Sequence, residues 1–314
     1  MKNVVVITGP TATGKSKVAI QLALSMRGEV VNADSMQVYR GMDIGTAKPS
    51  EAERQRVPHH LYDICDPSER FSAGIYLEQA NKVIRDILSR GNLPIVVGGT
   101  GLYSRALLTG FFEQPELDPT VEDCLLASRN GAGLEYLYRM LQKADPEFSR
   151  GISPKDTQRI IRGLSFYFST GKKLSSMWGN TSSPLKDLAF IVVGLTAERS
   201  VLYEAINRRV DRMVASGLLE EVKGLMERYG GKKYHAFKAI GYREMMLAAE
   251  GRITISDAVE RIKRNTRRFA KRQFTWFKRQ TVQWFQVDPL SGKIPVAEIH
   301  NFINIEIRNR GEGT

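Results

Sequence analysis

The chain has 314 residues, of which 42% are apolar and 25% are charged, so it can build an ordinary globular core. No stretch approaches the roughly 18 apolar residues of a membrane span, and we expect neither a membrane partner nor a secretory segment. The only two cysteines, Cys65 and Cys124, argue against a disulfide framework and a zinc site, so a reducing cytoplasm is the expected location. The net charge of +12 favours a polyanionic partner.

Four short apolar runs rich in β-branched residues predict buried parallel strands. These runs are Val4–Thr8, Glu29–Asn32, Ile95–Gly98 and Phe190–Leu195. The segments between the first three runs repeat apolar residues at helical spacing, and Ser72 is predicted to cap the second of these helices. Strands that alternate with helices predict an α/β fold, a P-loop-type parallel sheet flanked by helices, with residues 1–112 as its core. Such sheets bind ligands at their carboxyl edge.

The remaining segments are predicted to be mainly helical. Residues 113–186 lack strand signals and are interpreted as a helical insertion domain, with helices at 121–129, 133–143 and 154–169. Ser153 is predicted to cap the last of these helices, and residues 178–184 form a loop that returns to the sheet. Residues 187–314 rejoin the sheet and then form a helical C-terminal region. Its predicted helices lie at 200–216, 218–229 and 242–250, and a long one begins near Ser256.

Residues 9–16 read GPTATGKS directly after the first strand, which is the phosphate-binding signature G-x-x-x-x-G-K-[ST]. The two glycines let the backbone turn so that successive N–H groups point into one hollow. The lysine adds a positive charge, and the serine hydroxyl is a candidate ligand for a Mg²⁺ ion that the phosphates also hold. The predicted di- or triphosphate site therefore consists of Gly9, Pro10, Thr11, Ala12, Thr13, Gly14, Lys15 and Ser16.

Two further segments begin where predicted strands end. Residues 32–49 read NADSMQVYRGMDIGTAKP, and Asp34 in this segment is a candidate general base or a Mg²⁺ ligand acting through water. A capping or turn aspartate is the structural alternative. Thr100, in VVGGTGLY, takes the equivalent position after the third strand. The glycines before Thr100 permit close approach of the backbone to a ligand, although they also suit a simple tight turn.

The segment from Arg261 to Arg279 contains nine lysines and arginines in nineteen positions and no acidic residue. A solvated helix face normally mixes charges of both signs, so this segment favours contact with nucleic acid. Ile262, Phe269 and Trp276 recur every seven residues and are predicted to form the apolar stripe of the helix. Phe274, Trp276 and Phe277 are candidates for stacking on bases. Core packing is the alternative for all three, and it is favoured for Trp276.

Four stretches together carry a resemblance to a known family. They are GPTATGKS at 9–16, NADSMQVYRGMDIGTAKP at 32–49, VVGGTGLY at 96–103, and GYRE at 241–244 with KRQFTWF at 271–277. With them the chain resembles the tRNA dimethylallyltransferases, or tRNA isopentenyltransferases, from Val4 to about Phe285. That family transfers a dimethylallyl group from dimethylallyl diphosphate to the exocyclic amine of the adenosine 3′ to the anticodon.

The resemblance implies roles for particular residues. GPTATGKS would bind the diphosphate with Mg²⁺ at Ser16, Asp34 would be the general base, and Thr100, Lys15 and Arg209 would complete the catalytic set. The anticodon stem-loop of tRNA would be bound by Asp34, Ser35, Met36, Gln37, Thr100, Gln158, Arg159, Ile160, Ile161 and Arg162, and by the basic residues Arg267, Arg268, Lys271 and Arg272. Gly163 replaces an alanine of the family pattern. A monomer is the default expectation.

Three alternatives remain open at this point. A small-molecule P-loop kinase would bind ATP, but it would not explain residues 32–49 or the acid-free basic segment. An adenylate prenyltransferase that acts on free nucleotide would share the fold and the allylic chemistry, and it should lack the insertion and the basic helix. A non-catalytic RNA-binding NTPase is disfavoured because Ile95–Val97 leads directly into glycines and not into a Walker B aspartate.

Overall fold

The computed structural model describes residues 2–110, 117–178, 183–232 and 234–311. It divides into two compact units, of which one comprises Met1–Leu108 with Pro184–Thr314 and the other comprises Thr109–Ser183. The predicted boundary between residues 112 and 113 and most of the predicted loop at 178–184 lie outside the described residues. Within the described ranges, no helix is both long and apolar enough to cross a lipid bilayer.

The larger unit contains a six-stranded sheet in which every neighbouring pair is parallel. Its strands are β1 (Asn3–Thr8), β2 (Gly28–Asn32), β3 (His59–His60), β4 (Leu93–Val97), β5 (Ala189–Thr196) and β6 (Gln283–Gln286), in the order β3-β2-β4-β1-β5-β6. Val5 of β1 pairs with Ile95 on one side and with Ile191 on the other. The predicted α/β fold with a parallel sheet is confirmed. The carboxyl ends of β1, β2 and β4 meet at one edge, where open α/β sheets bind ligands.

Strands β3 and β6 were not predicted from the sequence. Strand β3 consists of two histidines, and β6 reads Gln-Trp-Phe-Gln with exposed ends. Both strands lie at the edges of the sheet, where burial on both faces is not required. Neither therefore has the continuous apolar run that marks the central strands.

Helices cover the sheet and extend beyond it. In the larger unit they are α1 (Lys15–Ser25), α2 (Glu51–Arg54), α3 (Ala73–Ser89), α4 (Gly101–Thr109), α9 (Arg199–Ala215), α10 (Leu218–Arg228), α11 (Tyr242–Ala249), α12 (Ile255–Phe277) and α13 (Val296–Gly311). The smaller unit contains α5 (Pro119–Ala132), α6 (Leu134–Ala144), α7 (Pro146–Arg150) and α8 (Thr157–Thr170). The main core lies between the sheet and α1, where Ile7, Val18 and Leu22 are fully buried.

The long helix α12 begins at a capping box. The Thr254 hydroxyl accepts a hydrogen bond from the N–H of Asp257, whose carboxylate accepts one from the N–H of Thr254. The predicted stripe with a repeat of seven is partly wrong, because Ile262 is buried whereas Phe269 and Trp276 are only half-buried. The buried face instead comprises Ala258, Ile262, Ala270, Gln273 and Phe277. Phe269 lines a cavity and is therefore only half-buried, and Trp276 packs against Gly101.

The smaller unit corrects the predicted start of its last helix. Asp156, and not Ser153, caps α8, since its carboxylate accepts a hydrogen bond from the N–H of Arg159. The structure also explains Gly163. A Cβ atom at this position would lie 2.8 Å from side-chain carbons of both Leu141 and Phe148, which fill the space that an alanine methyl group would need.

Candidate active site

The GPTATGKS loop joins β1 to α1 and needs glycine at both ends. Gly9 has φ +132°, and a Cβ atom there would lie 2.3 Å from the carbonyl oxygen of Leu195 in β5. Gly14 has φ +85° and caps α1. The Thr13 hydroxyl donates a hydrogen bond to the carbonyl of Pro10 at 2.9 Å, which closes the loop on itself. The loop therefore has the tight backbone turn that the sequence predicts, at the start of a helix, where anions bind.

Lys15 lies against this loop in an enclosed position. Its ammonium group donates a hydrogen bond to the carbonyl of Pro10 at 2.6 Å. Burial and, to a smaller extent, the positive charge of Arg209 lower the pKa of Lys15 to about 7, against the opposing effect of the Asp34 carboxylate. Near neutral pH the side chain thus exists in both charge states. An anion bound in the loop would favour the charged state.

Arg209 comes from α9 and reaches the same loop. Its Nη1 atom donates a hydrogen bond to the Thr11 hydroxyl at 3.0 Å. Burial lowers the pKa of Arg209 and the charge of Asp34 raises it, but an arginine remains charged at neutral pH. The loop is therefore flanked by two basic side chains, Lys15 from within the motif and Arg209 from far along the chain.

Asp34 sits in a turn that a buried asparagine fixes. Asn32, at the end of β2, accepts a hydrogen bond from the N–H of Asp34 at 2.8 Å and donates one to the carbonyl of Leu61 at 3.0 Å. The Asp34 carboxylate accepts a hydrogen bond from the N–H of Met36 at 2.9 Å. Asn32 was not singled out from the sequence, although its place at a strand end before Asp34 could have indicated a turn-forming side chain.

Thr100 connects the turn after β4 to the segment that carries Asp34. Its hydroxyl accepts a hydrogen bond from the N–H of Ser35 at 3.0 Å and lies 3.2 Å from the Ser35 hydroxyl. The preceding Gly98 is required by close approach of the two strands, since a Cβ atom there would lie 2.1 Å from the carbonyl oxygen of Ala33. Thr100 and Ser35 therefore hold the ends of β4 and β2 together.

The segment 43–47, which follows Gln37, is held by two side chains, of which only Gln37 was singled out from the sequence. Glu221 of α10 accepts hydrogen bonds from the N–H groups of Asp43, Ile44 and Gly45 at 3.0, 2.8 and 3.2 Å. The buried Gln37 donates from its amide nitrogen to the carbonyls of Thr46 and Ala47. The structure thus uses the Gln37 amide nitrogen to position this segment.

One cavity of about 450 Å³ brings the predicted catalytic residues together. Lys15, Asp34, Thr100 and Arg209 all line it, as does Ser16. The same cavity has an apolar wall, formed by Ile206, Val210, Met213, Ile240, Ile262 and Phe269. The arrangement combines the GPTATGKS loop, two basic side chains and a carboxylate with space for an apolar group.

The basic residues of the segment 261–279, in α12 and just after it, fall into two groups. Lys263 forms an ion pair with Asp211 of α9 at 2.7 Å, and Arg267 donates to Asn207 of α9 at 2.7 Å. The others are exposed, namely Arg261, Arg264, Arg268, Lys271, Arg272, Lys278 and Arg279. The exposed group can contact a polyanion, whereas Lys263 and Arg267 join two helices. Phe277 is fully buried, so the prediction that it is available for stacking is wrong.

In the smaller unit, the residues predicted to bind tRNA differ in exposure. Gln158 and Arg159 are exposed, and Arg159 lies 3.5 Å from the Asp156 carboxylate. Arg162 is half-buried, and burial lowers its pKa. Ile160 and Ile161 are buried in the core of this unit. For these two isoleucines the prediction of tRNA contact is corrected, because their side chains pack inside the helical unit.

The fold and this site define an α/β protein with a parallel sheet, in which a glycine-rich loop joins the first strand to the first helix. The family model for IPP transferase matches residues 37–280. The chain is 44% identical over 286 residues, 90% of each chain, to a tRNA dimethylallyltransferase of Pelotomaculum thermopropionicum. It is 43% identical over 290 residues, 91% of each chain, to the tRNA dimethylallyltransferase of Bacillus subtilis. The chain belongs to the IPP transferase family, and the resemblance to tRNA dimethylallyltransferases is confirmed.

Solved structures agree with this assignment. The tRNA isopentenylpyrophosphate transferase of Bacillus halodurans is 42% identical, with a TM-score of 0.73 and coverage of 99% of both chains. A eukaryotic dimethylallyltransferase, solved in crystallographic snapshots of its action on tRNA, is 32% identical with a TM-score of 0.82. The match covers 98% of the present chain and 80% of the eukaryotic one.

Proposed function

We propose that this protein transfers a dimethylallyl group from dimethylallyl diphosphate to the N6 amine of the adenosine that is 3′-adjacent to the anticodon of tRNA, with release of pyrophosphate. The observation that carries this proposal is the shared cavity of Lys15, Arg209, Asp34 and Thr100 with its apolar wall. The names of the relatives support the tRNA acceptor and the allylic group.

The first requirement of the reaction is a stabilised leaving group. When the allylic C1–O bond breaks, the electron pair leaves with the pyrophosphate. The backbone N–H groups of residues 9–16, the amino end of α1, Lys15 and Arg209 offer positive potential to that charge. These groups are fixed before the reaction, so they need little reorganisation while charge develops.

The residues present also fit a Mg²⁺ ion. This ion prefers few protein ligands together with phosphate oxygens and water. Ser16 lines the cavity, and the described part of the chain has no group of three or more acidic, histidine or cysteine side chains that could form a complete protein cage. Ser16 and the diphosphate would hold the ion, which would add positive charge beside the leaving group.

The second requirement is removal of a proton from the attacking amine. The lone pair of the adenine N6 amine is delocalised into the ring, which makes the amine a weak nucleophile. As the C1–N6 bond forms, the Asp34 carboxylate accepts the N6 proton. The N–H of Met36 orients this carboxylate, Asn32 fixes the backbone of Asp34, and Thr100 holds the neighbouring Ser35.

The third requirement is access of the base to the cavity. An adenine within a stacked loop cannot reach the diphosphate, so the nucleotide must turn out of the stack. The exposed basic residues of α12 would bind RNA phosphates around it. We further propose that the protein acts as a monomer in the cytoplasm, which light scattering during gel filtration and cell fractionation would check.

A transfer assay with three parallel acceptors tests the proposal. The protein is incubated with Mg²⁺, labelled dimethylallyl diphosphate, and either unmodified tRNA, AMP or ATP. Label in tRNA alone is the expected result. Label in free nucleotide alone would instead identify an adenylate prenyltransferase. ATP turnover without transfer would identify a kinase or an NTPase and would overturn the proposal.

A further inference from the structure

One buried side chain of α12 joins the two loops that meet at the cavity. The Gln273 side chain is 5% exposed. Its Oε1 atom accepts a hydrogen bond from the N–H of Thr11 at 2.8 Å, and its Nε2 atom donates one to the carbonyl of Gly99 at 2.9 Å. Gln273 therefore spans from the phosphate-binding loop to the turn that presents Thr100.

The two glycines on either side of Thr100 are shaped to receive α12. A Cβ atom on Gly99 would lie 2.2 Å from Nε2 of Gln273. A Cβ atom on Gly101 would lie 2.3 Å from Nε1 of Trp276, which stands one helical turn further along α12. The missing side chains let α12 contact the turn on both sides of Thr100, so α12 fixes its position.

The residues that Gln273 contacts are linked in turn to the proposed diphosphate site and to the segment that carries Asp34. On one side, Thr11 also accepts the hydrogen bond from Arg209 and belongs to the loop proposed to bind the diphosphate. On the other side, Thr100 bonds to Ser35, which directly follows Asp34. A continuous set of hydrogen bonds and short backbone links thus runs from the diphosphate loop through Gln273 to the segment of the general base.

We propose that Gln273 is a positioning residue that sets the separation between the diphosphate loop and the segment bearing Asp34 and Thr100. This inference rests on the proposed function. Transfer requires C1 of the allylic group and N6 of the adenine to be aligned about 3–3.5 Å apart, and a displacement of about 1 Å can reduce the rate about 100-fold. An amide suits this place because it accepts from one loop and donates to the other.

Two substitutions distinguish the hydrogen bond of Gln273 to Thr11 from its hydrogen bond to Gly99. Gln273→Met keeps the length of the side chain and removes both hydrogen bonds. Gln273→Glu keeps an acceptor for the N–H of Thr11 but has no donor for the carbonyl of Gly99. Thr275→Ala is the matched control, because Thr275 is exposed on the same helix and its hydroxyl bonds only to the carbonyl of Lys271.

The expected results distinguish positioning from a merely structural role. In Gln273→Met, kcat for transfer should fall about 10- to 100-fold, KM for tRNA should stay within about twofold, and the Thr11 amide should exchange with deuterium faster. In Gln273→Glu, the Thr11 amide should remain protected although kcat falls. Thr275→Ala should match the wild type. An unchanged kcat in folded Gln273→Met protein would overturn the inference.

A second variant tests the same alignment if Gln273→Met does not fold. Gly99→Ala places a Cβ atom 2.2 Å from Nε2 of Gln273 and so displaces the amide, and it should also lower kcat more than KM for tRNA. An unchanged kcat in folded Gly99→Ala protein would contradict the inference. If the wild type transfers no label to tRNA, the proposed function fails. Pyrophosphate affinity and Thr11 amide exchange in these variants would still test whether the hydrogen bonds of Gln273 hold the two loops together.

Discussion

The carboxylate of Glu221 accepts a hydrogen bond from the hydroxyl of Tyr242 at 2.6 Å. The same carboxylate receives the three successive N–H groups of residues 43–45, so one side chain on α10 satisfies four donors. The ring of Tyr242 lies against Gly45, where a Cβ atom would be 2.4 Å from the ring. Helices α10 and α11 thus hold a segment whose next residues line the cavity.

Substitution of Glu221 should destabilise the protein. Glu221→Gln removes the charge and leaves N–H groups of residues 43–45 without a full set of acceptors, which should cost about 1–3 kcal/mol. Urea unfolding measures this change in the free energy of unfolding. Glu220→Gln is the control, because Glu220 is exposed one residue earlier. Equal stability of the two variants would show that the four hydrogen bonds contribute little.

Replacement of the general base should affect turnover more than binding. Asp34→Asn keeps the shape of the side chain but cannot accept the N6 proton, so kcat should fall by about 100-fold or more. The Kd for unmodified tRNA, measured by filter binding, should change little. A loss of tRNA binding with normal turnover of the bound complex would contradict the role of Asp34 as a base.

The salt dependence of tRNA binding should separate the two groups of basic residues on α12. Replacement of Arg264, Arg268 and Lys271 by glutamine should weaken binding and reduce the slope of log K against log salt by about 0.7–0.9 for each phosphate that the variant no longer neutralises. Lys263→Gln should leave that slope unchanged, because Lys263 is paired with Asp211. Equal slopes for the wild type and the triple variant would remove the exposed residues from the RNA interface.

Lys15 should make stability depend on pH in a defined direction. Its pKa is about 7 in the folded protein, whereas the ordinary value for a solvated lysine is 10.5. The unfolded chain therefore binds more protons than the folded protein between these two values, and stability rises with pH there. The destabilising effect of Lys15 is complete below about pH 7 and disappears towards pH 10.5.

The variant Lys15→Met removes this effect. Its melting temperature should exceed that of the wild type at about pH 6.5, and the difference should shrink at about pH 9. Lys17→Met on the exposed face of α1 provides the control and should show no such trend. A constant difference between Lys15→Met and the wild type across this range would contradict a lowered pKa.

The parts of the molecule that could be predicted from sequence are those with local signals. The loop at residues 9–16 carries a fixed spacing of glycines and a lysine, and the central strands are apolar because both of their faces are buried. The structure places Lys15, Asp34 and Thr100 at neighbouring strand ends because parallel strands end at one edge. That argument needs only strand order and no knowledge of individual contacts.

The residues that could not be predicted make contacts with residues that are distant in the sequence. Gln273 contacts Thr11 and Gly99, and nothing in KRQFTWF alone distinguishes a buried bridging amide from an exposed one. Glu221 likewise stands beside another glutamate in a helix, and only the fold shows that its carboxylate meets three backbone N–H groups. The seven-residue stripe could not show that Phe269 lines the cavity, that Trp276 packs against Gly101 or that Phe277 is fully buried, because each of these depends on distant parts of the chain.

The capping box at Thr254 and the contacts of Gln273 and Trp276 together fix the length of α12. One end of the helix is set by Thr254, and the other is set by two side chains that fit two glycine positions. Removal or addition of one residue between these ends would rotate Gln273 by about 100° around the helix axis. Helix α12 should therefore tolerate substitutions on its exposed basic face but no insertion or deletion along its length.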